Sequence, residues 1–378
     1  MIALGLTGCV AGSGRDGASA SASGGIDPSA GDDDGGTADD GDGSGGAHDD
    51  GDAGTGAHDD HDGGDDGAKF DLGSPDGGGV DPGCETDRCE CTIPDHVPCD
   101  AGTDDPFRAI GLNCPGELQV DASAMGPALG IGVRSGFGPT PTFDPREGSV
   151  YAVIGSGRVT ELDTETPNGD SDAFPTHCND DLGNNDPGAT LPAPIVPTDV
   201  GGDCAATPNL VGTGDCSNTI QAQFDQGGEA NDYVELRFEL DVPPDVISFS
   251  YDFAFFSVEY PEYYGSEFND MYIGWLESEA WTGNISFDAD GNPISLNAGF
   301  LEFKDDAAST PELDGTCMKR HAGTNWLTTT AGVTPGEHIT VVFAIFDLSD
   351  SILDSYAFVD DFQWGCDPTG QPQTEPEG

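Results

Sequence analysis

The sequence predicts an all-β protein, an antiparallel β-sandwich of jelly-roll type that follows a disordered acidic stalk. Residues 233–240 alternate between apolar and charged side chains, which is the pattern of a strand with one face turned to water. A second alternating series covers residues 247–255. No stretch carries the apolar spacing of an amphipathic helix of about three turns, so parallel strands joined by helical crossovers are not expected. Many short strands separated by turn residues favour two packed antiparallel sheets.

The strands are expected at intervals along the second half of the chain. Pro243 and Pro244 end the first alternating series, and the two series are expected to form an antiparallel pair. Residues 174–217 are rich in Asn, Asp, Gly and Pro, which predicts a long loop pinned by disulfides. Further strands are expected at 118–120, 150–154, 271–276, 300–303, 339–346 and 356–364.

Composition divides the chain into five segments. Residues 10–83 are mostly Gly, Asp, Ala and Ser, and Arg15 and Lys69 are their only Lys or Arg residues. Such a segment buries too little apolar surface to offset its conformational entropy, so it is expected to be a disordered linker. The other segments are expected to be a truncated lipoprotein signal at 1–9, a Cys-rich collar at 84–116, the β-sandwich at 117–366 and a disordered tail at 367–378.

The first residues predict export and a lipid anchor. Leu6, Thr7, Gly8 and Cys9 are similar to a bacterial lipobox, in which a signal peptidase cleaves before a cysteine that is then acylated. Only eight residues precede Cys9 and none of them is basic, so we expect the natural start to lie upstream. Lipidation of Cys9 would place the exported protein at the outer membrane or the cell surface.

The remaining cysteines predict disulfides. Ten cysteines follow Cys9, and an even number at irregular spacing in an exported chain is typical of disulfides. The paired CxxC knuckles of a zinc site are missing, although zinc stays open as an alternative. The disulfide candidates are Cys84, Cys89, Cys91, Cys99, Cys114, Cys178, Cys204, Cys216, Cys317 and Cys366.

Charge and missing motifs exclude several functions. The formal net charge of -60 would repel nucleic acid, so nucleic-acid binding is excluded. Neither a G-x-S-x-G elbow, an H-E-x-x-H helix nor a phosphate-binding loop occurs in the sequence. The sequence therefore predicts a protein that is not an enzyme, while a carboxylate pair for glycoside hydrolysis stays open among so many acids.

A group of acidic residues predicts a calcium site. Crowded carboxylates repel one another unless protons or a cation neutralise them, and Ca2+ accepts about six to eight oxygen ligands. The alternative is that these are ordinary turn and strand-edge residues. The predicted ligands are Asp347, Asp350 and Asp354 in one loop, with Glu259, Asn269 and Asp270 in another.

Three aromatic residues in a loop with Pro and Gly are the candidate ligand-binding residues. Tyr260, Tyr263 and Tyr264 stand beside carboxylates, where an exposed ring would stack on a sugar or contact a peptide. Ordinary packing within the loop is the alternative.

Two phrases resemble the choice-of-anchor L domain family. The first is F-x-S-x-E-Y-x-E at residues 255–262, followed by Asn269 and Asp270, and the second is residues 344–355. The resemblance covers residues 130–366 and departs at Val258 and Phe346. It implies a bacterial surface domain that different members attach by different anchors, with no established enzymatic activity.

The leading hypothesis is a non-catalytic cell-surface binding or adhesion lipoprotein, with calcium stabilising the loops that present the tyrosines. Its expected partners are the outer membrane, through the lipid, and a glycan or protein ligand. An extracellular polysaccharide hydrolase and a structural envelope protein are the alternatives.

Overall fold

The computed structural model describes residues 91–139, 143–167, 171, 173–183, 185–299 and 311–376. Helices in this part are short: α1 (Pro106–Ala109), α2 (Gln221–Gly227) and 3-10 turns at Ala128–Gly130, Val159–Glu161, Pro208–Leu210 and Pro311–Leu313. None of these described helices has the length and apolarity needed to cross a membrane. The strands are β1 (Asp121–Met125), β2 (Ile131–Arg134), β3 (Tyr151–Gly155), β4 (Ala230–Asp241), β5 (Ser248–Ser257), β6 (Met271–Glu277), β7 (Thr282–Asn284), β8 (Ile294–Ser295), β9 (Ala322–Gly323), β10 (Leu327–Gly332), β11 (His338–Leu348), β12 (Ser355–Gly365) and β13 (Gln373–Pro376).

The strands form two antiparallel sheets that pack against each other. One sheet has the order β1-β4-β11-β6-β7 with β8 beside β6, and the other has the order β13-β10-β5-β12-β3-β2 with β9 beside β5. Long strands that follow each other in the chain, such as β4, β5 and β6, alternate between the sheets. The orders β4-β11-β6-β7 and β3-β12-β5-β10 are those of a jelly roll, so the predicted fold class is confirmed.

The predicted pairing of the two alternating series is wrong. They form β4 and β5, as expected, but β4 pairs with β1 and β11, whereas β5 pairs with β9, β10 and β12. The chain turns at Pro243 and Pro244, which cannot donate ladder hydrogen bonds, and crosses to the opposite sheet.

The main core lies between the two sheets. Alternate residues of β4 and β5, among them Phe238 and Tyr251, point inward and are fully buried. Phe343 of β11 joins them, with its ring centroid 4.5 Å from that of Tyr251 and 5.7 Å from that of Phe238. Each such side chain contributes about 1.5 to 3 kcal/mol to stability through burial.

Loops cover the outer faces of both sheets. Ile195, Ile220 and Phe224 pack over the outer face of the sheet that contains β4, and a second aromatic cluster covers the other sheet. The expectation that β4 turns one face to water is therefore wrong for Glu235, which is 1% exposed. Its carboxylate accepts a hydrogen bond from the Tyr233 hydroxyl and pairs with Arg237.

Four disulfides are formed among the described cysteines, which confirms the prediction for those residues. They join Cys91 to Cys366, Cys99 to Cys114, Cys178 to Cys317 and Cys204 to Cys216. The last two pin the loop predicted at 174–217. Cys9, Cys84 and Cys89 lie outside the described residues.

The collar is part of the sandwich rather than a separate cap. Phe107, Ile110 and Leu112 belong to the main core, and the Thr92 amide donates to the carbonyl of Asp245. The Cys91–Cys366 disulfide ties the start of the described chain to the segment after β12. We call this end of the sandwich, where β4 and β12 finish at Asp241 and Gly365, the collar end.

Three smaller expectations need correction or stay open. The strand expected at 118–120 begins instead at Asp121. The tail expected to be disordered contains β13, which pairs with β10 and extends the sheet. The strand expected at 300–303 lies outside the described residues.

Candidate metal centre

Five buried carboxylic acids meet at the end of the sandwich opposite the collar. Strand pairing explains the meeting, because Ser355 of β12 lies opposite Ser257 of β5, and β11 ends between the start of β6 and the start of β4. Each side chain is at most 1% exposed. We call this group the acid end; its members are Asp232, Glu259, Asp270, Asp347 and Asp354.

Asp347 is the most isolated of these acids. It follows an irregularity in the pairing of β11 with β4, is fully buried, and neither of its carboxylate oxygens has a hydrogen-bond partner. Burial, followed by the charges of Asp270 and Asp354, raises the pKa of Asp347 well above its ordinary value. The Ser156 hydroxyl lies close enough to lower the pKa in part, although it makes no hydrogen bond of normal geometry with either oxygen.

Glu259 is in the same condition on the neighbouring loop. It lies just after β5, is 1% exposed, and neither carboxylate oxygen has a hydrogen-bond partner. Burial raises its pKa well above the ordinary value, and the charges of Asp270 and Asp350 add to the effect. The Asp270 amide lies close enough to lower the pKa in part, although it makes no hydrogen bond of normal geometry with either oxygen.

Asp270 stands between these two acids. Its carboxylate accepts the Leu348 amide at 3.1 Å and the Ser355 hydroxyl at 2.6 Å. Burial raises its pKa to about 7, and the hydrogen bonds from Ser355 and Leu348 moderate the shift. Because Asp270 interacts with both Glu259 and Asp347, the three form a row of acids, which we call the acid row.

The other three predicted ligands have different surroundings. Asp350 is half-buried on the loop after β11, where its charge acts on Glu259. Asp354 accepts the Asp180 amide and the Tyr356 hydroxyl, each at 2.9 Å, so both of its oxygens are used within the protein.

Asn269 is likewise engaged by its neighbours. Its side-chain nitrogen donates to Gln223 at 3.0 Å, and its side-chain oxygen accepts the Asn297 amide at 2.9 Å. The structure therefore brings Glu259, Asp270, Asp347 and Asp350 together, while Asn269 and Asp354 hold adjacent loops in place.

Sequence reasoning missed Asp232. One oxygen of its carboxylate accepts the Gly183 amide at 3.0 Å, the other is buried without a partner, and its backbone has a left-handed φ of 45°. Burial and the charge of Asp181 raise its pKa to about 7. The available signal was its position directly before the alternating run that forms β4.

The acids do not form a compact chelating triad. Among the described residues, the group whose His, Cys, Asp or Glu ligand atoms lie within 4.8 Å of one another is His96, Cys114 and Glu117 at the collar end. Cys114 is bonded to Cys99 and offers no thiolate, so that group does not fit a zinc site. A cation at the acid row would have to draw Glu259 and Asp347 toward Asp270.

The three predicted ligand-binding tyrosines differ in exposure. Tyr264 is 49% exposed, and its ring meets Tyr260 edge-on at 5.8 Å. Tyr263 instead packs against Phe268 at 5.3 Å and against the outer aromatic cluster. A hydrogen bond between a His321 ring nitrogen and the Tyr260 carbonyl oxygen, 2.6 Å apart, holds the loop in place. Tyr264 is therefore the most open ring of the three.

Comparison with known proteins gives no relative for this chain. No family model, no curated protein and no solved structure matches it. The two phrases that resemble the choice-of-anchor L family remain a resemblance.

Proposed function

We propose that this protein is a non-catalytic binding module of the bacterial cell surface, lipid-anchored through Cys9, in which calcium stabilises the loops that present Tyr264. One observation carries the proposal: the four carboxylate oxygens of Glu259 and Asp347 are buried, and none accepts a hydrogen bond of normal geometry. An unpaired buried charge is costly, and a divalent cation or protons must neutralise it.

The donor chemistry favours calcium over a softer metal. The acid row and Asp350 offer hard carboxylate oxygens, which calcium and magnesium prefer to nitrogen or sulfur ligands. Calcium tolerates flexible, irregular coordination, whereas magnesium demands a near-octahedral shell. A row of acids that must close around the ion suits the more permissive cation.

The position of the acid row connects the cation to the tyrosine loop. The loop from Glu259 to Asp270 meets the loop after β11, where the Ser349 hydroxyl donates to the Glu267 carbonyl at 3.1 Å. A cation held by both loops would fix them relative to each other. Tyr264 would then be presented with less conformational entropy to lose on binding.

The burial of the acid row supports a binding role over catalysis. The acid row is at most 1% exposed, which leaves a substrate no access to these carboxylates.

Thermal unfolding of the full-length oxidised chain tests the proposal. We expect millimolar Ca2+ to raise the midpoint measured in EDTA, since a ligand at 100 times its Kd adds about 2.7 kcal/mol. Asp347→Asn should abolish the rise, and Asp360→Asn, a buried acid outside the acid row, should retain it. An unchanged wild-type midpoint would mean that protons neutralise the acids. Turnover of any polysaccharide on a glycan panel would contradict the non-catalytic role.

A further inference from the structure

A cavity of about 700 Å3 lies at the collar end, far from the acid row. Segments distant in sequence build it: the collar, the chain between α1 and β1, and the ends of β4 and β12. Its volume falls within the roughly 300 to 1,000 Å3 of small-molecule sites. The cavity is therefore large enough for a ligand of moderate size.

The walls of the cavity combine apolar and aromatic side chains. Leu112, Leu240 and Phe362 are buried behind its surface, and Trp364 is half-buried at its side. At the rim, Ile93 and Leu118 are 51% and 49% exposed, so apolar surface remains open to solvent there. An apolar group that entered the cavity would cover these side chains.

The charges that line the cavity are predominantly negative. Asp95, Glu117 and Glu147 contribute carboxylates, and no Lys or Arg is among the lining residues. His96 stands between two of them, with Nδ1 2.9 Å from Glu117 and Nε2 2.7 Å from Glu147. Even with His96 protonated, the three carboxylates exceed the single cation. The cavity therefore has a field that attracts cations and repels anions.

We propose that this cavity binds an amphipathic organic cation, an ammonium carried on an apolar or aromatic body. The body would lie against Leu118 and Trp364, and the ammonium would pair with Glu117 or Glu147. An aromatic ring and carboxylates at the same cavity are the usual combination for recognising such a cation. Phosphate, sulfate and carboxylate ligands are excluded by the same charges.

A bare metal ion does not suit the cavity. A metal ion needs several ligands at once, but His96 already bridges the two glutamates and Cys114 is held in a disulfide. An ammonium needs only one carboxylate, which can still accept it beside His96. The organic cation is distinct from the calcium of the acid row, because the two sites lie at opposite ends of β4 and share no residue.

Binding of three ligands of one shape and different charge tests the proposal. The probes are 2-phenylethylammonium, 2-phenylethanol and 3-phenylpropanoate, titrated by calorimetry into the full-length oxidised chain near neutral pH. We expect the ammonium to bind on the order of tenfold more tightly than the alcohol, equivalent to about 1.4 kcal/mol, and the carboxylate not to bind. Quenching or enhancement of Trp364 fluorescence should accompany binding and disappear in Trp364→Phe.

Charge-neutral variants locate the effect. Glu117→Gln and Glu147→Gln should each weaken the ammonium on the order of tenfold and leave the alcohol unchanged, because they remove charge with little change of shape. Glu375→Gln, an exposed acid on β13, should change neither. Equal or tighter binding of the alcohol would overturn the proposal in favour of a neutral ligand such as a sugar. Absence of binding by the ammonium at millimolar concentration would also overturn it.

Discussion

The two ends of the sandwich treat buried carboxylates differently. Toward the collar end, Asp100 accepts the Val150 amide at 2.8 Å, and Asp360 accepts the Arg146 amide at 2.7 Å. At the acid end, Glu259 and Asp347 are buried to a similar degree and accept no hydrogen bond of normal geometry. Asp270 and Asp354 of the acid end also have donors, so among the described acids of similar burial only Glu259 and Asp347 lack them.

Burial alone does not explain why Glu259 and Asp347 lack hydrogen-bond donors. If burial alone left acids unpartnered, Asp215 and Asp288 should also lack donors, yet each accepts several backbone amides. The fold satisfies its structural acids with backbone donors, as buried polar groups require. The missing donors at Glu259 and Asp347 thus mark the position at which we propose an external ligand.

The largest expected effect comes from two disulfides, one near each end. Removing Cys178–Cys317 or Cys91–Cys366 by paired Ser substitution should lower the free energy of unfolding by about 2 to 5 kcal/mol, since each closes a long loop. The Cys178 carbonyl accepts the Asp354 amide at 3.0 Å, so only the first pair should also reduce the stabilisation by calcium. Chemical denaturation in EDTA and in Ca2+ measures both effects. Equal stabilisation by calcium in the two variants would contradict a calcium site at the acid end only.

Asp347→Asn should have opposite effects in the two conditions. In EDTA near pH 8 the variant should be more stable than wild type by about 1 to 3 kcal/mol, because it removes a buried charge that no donor satisfies. In saturating Ca2+ it should be less stable than wild type, since a ligand is lost. Denaturant unfolding measures both values. A variant that is less stable in EDTA as well would show that the Asp347 carboxylate is satisfied without a metal.

The pH dependence of stability should distinguish the ends. Burial raises the pKa of Asp232 and Asp270 to about 7, so the folded state binds protons more tightly than the unfolded state. Without metal, stability from these two groups is present at low pH and is lost as the pH rises through about 7. Asp360, whose burial raises its pKa to about 8, contributes in the same direction.

Calcium should remove only the part of this pH dependence that comes from the acid row. Bound Ca2+ keeps the acid row ionised, so the difference between midpoints in Ca2+ and in EDTA should grow from about pH 5 to about pH 8. The Asp360 contribution is present in both buffers and cancels in this difference. Thermal unfolding across this range measures it. A difference that shrinks as the pH rises would contradict metal binding by these carboxylates.

The smallest expected change in stability is that of Tyr264→Ala, which we compare with Tyr263→Ala in the same loop. Tyr264→Ala should change the free energy of unfolding by no more than about 0.5 kcal/mol, as is usual for exposed positions, and should reduce binding on a glycan or peptide array. Tyr263→Ala should cost about 1 kcal/mol or more through lost packing with Phe268. If only Tyr263→Ala affected array binding, Tyr264 would not be the contact residue.

The period-two patterns predicted the positions of β4 and β5 correctly but not their pairing partners. Alternation identifies the inward residues of β4 and β5, but both are consistent with either sheet, and the corner at Pro243 resembles a hairpin from sequence alone. The water-facing side of β4 was misjudged at Glu235 because a loop distant in the sequence covers it.

The candidate site was partly accessible from sequence for the same reason. Crowded acids in two loops predicted Glu259, Asp270 and Asp347, which the structure brings together. Asp354 and Asn269 could not be separated from them from sequence alone. The donors to their side chains come from Asp180, Tyr356 and Asn297, and the acceptor of the Asn269 side-chain nitrogen is Gln223 of α2. Only the three-dimensional structure shows which acids have donors.

Crystallography of the oxidised protein in millimolar Ca2+, with Mn2+ exchanged for anomalous scattering, tests the central claim most directly. We expect one anomalous peak at the acid row, with carboxylate oxygens of Glu259, Asp270 and Asp347 at about 2.3 to 2.6 Å from the calcium ion. Closure of Glu259 and Asp347 toward Asp270 should accompany it. An acid row without a peak, in which neighbouring carboxyls instead share protons in short hydrogen bonds, would contradict the account.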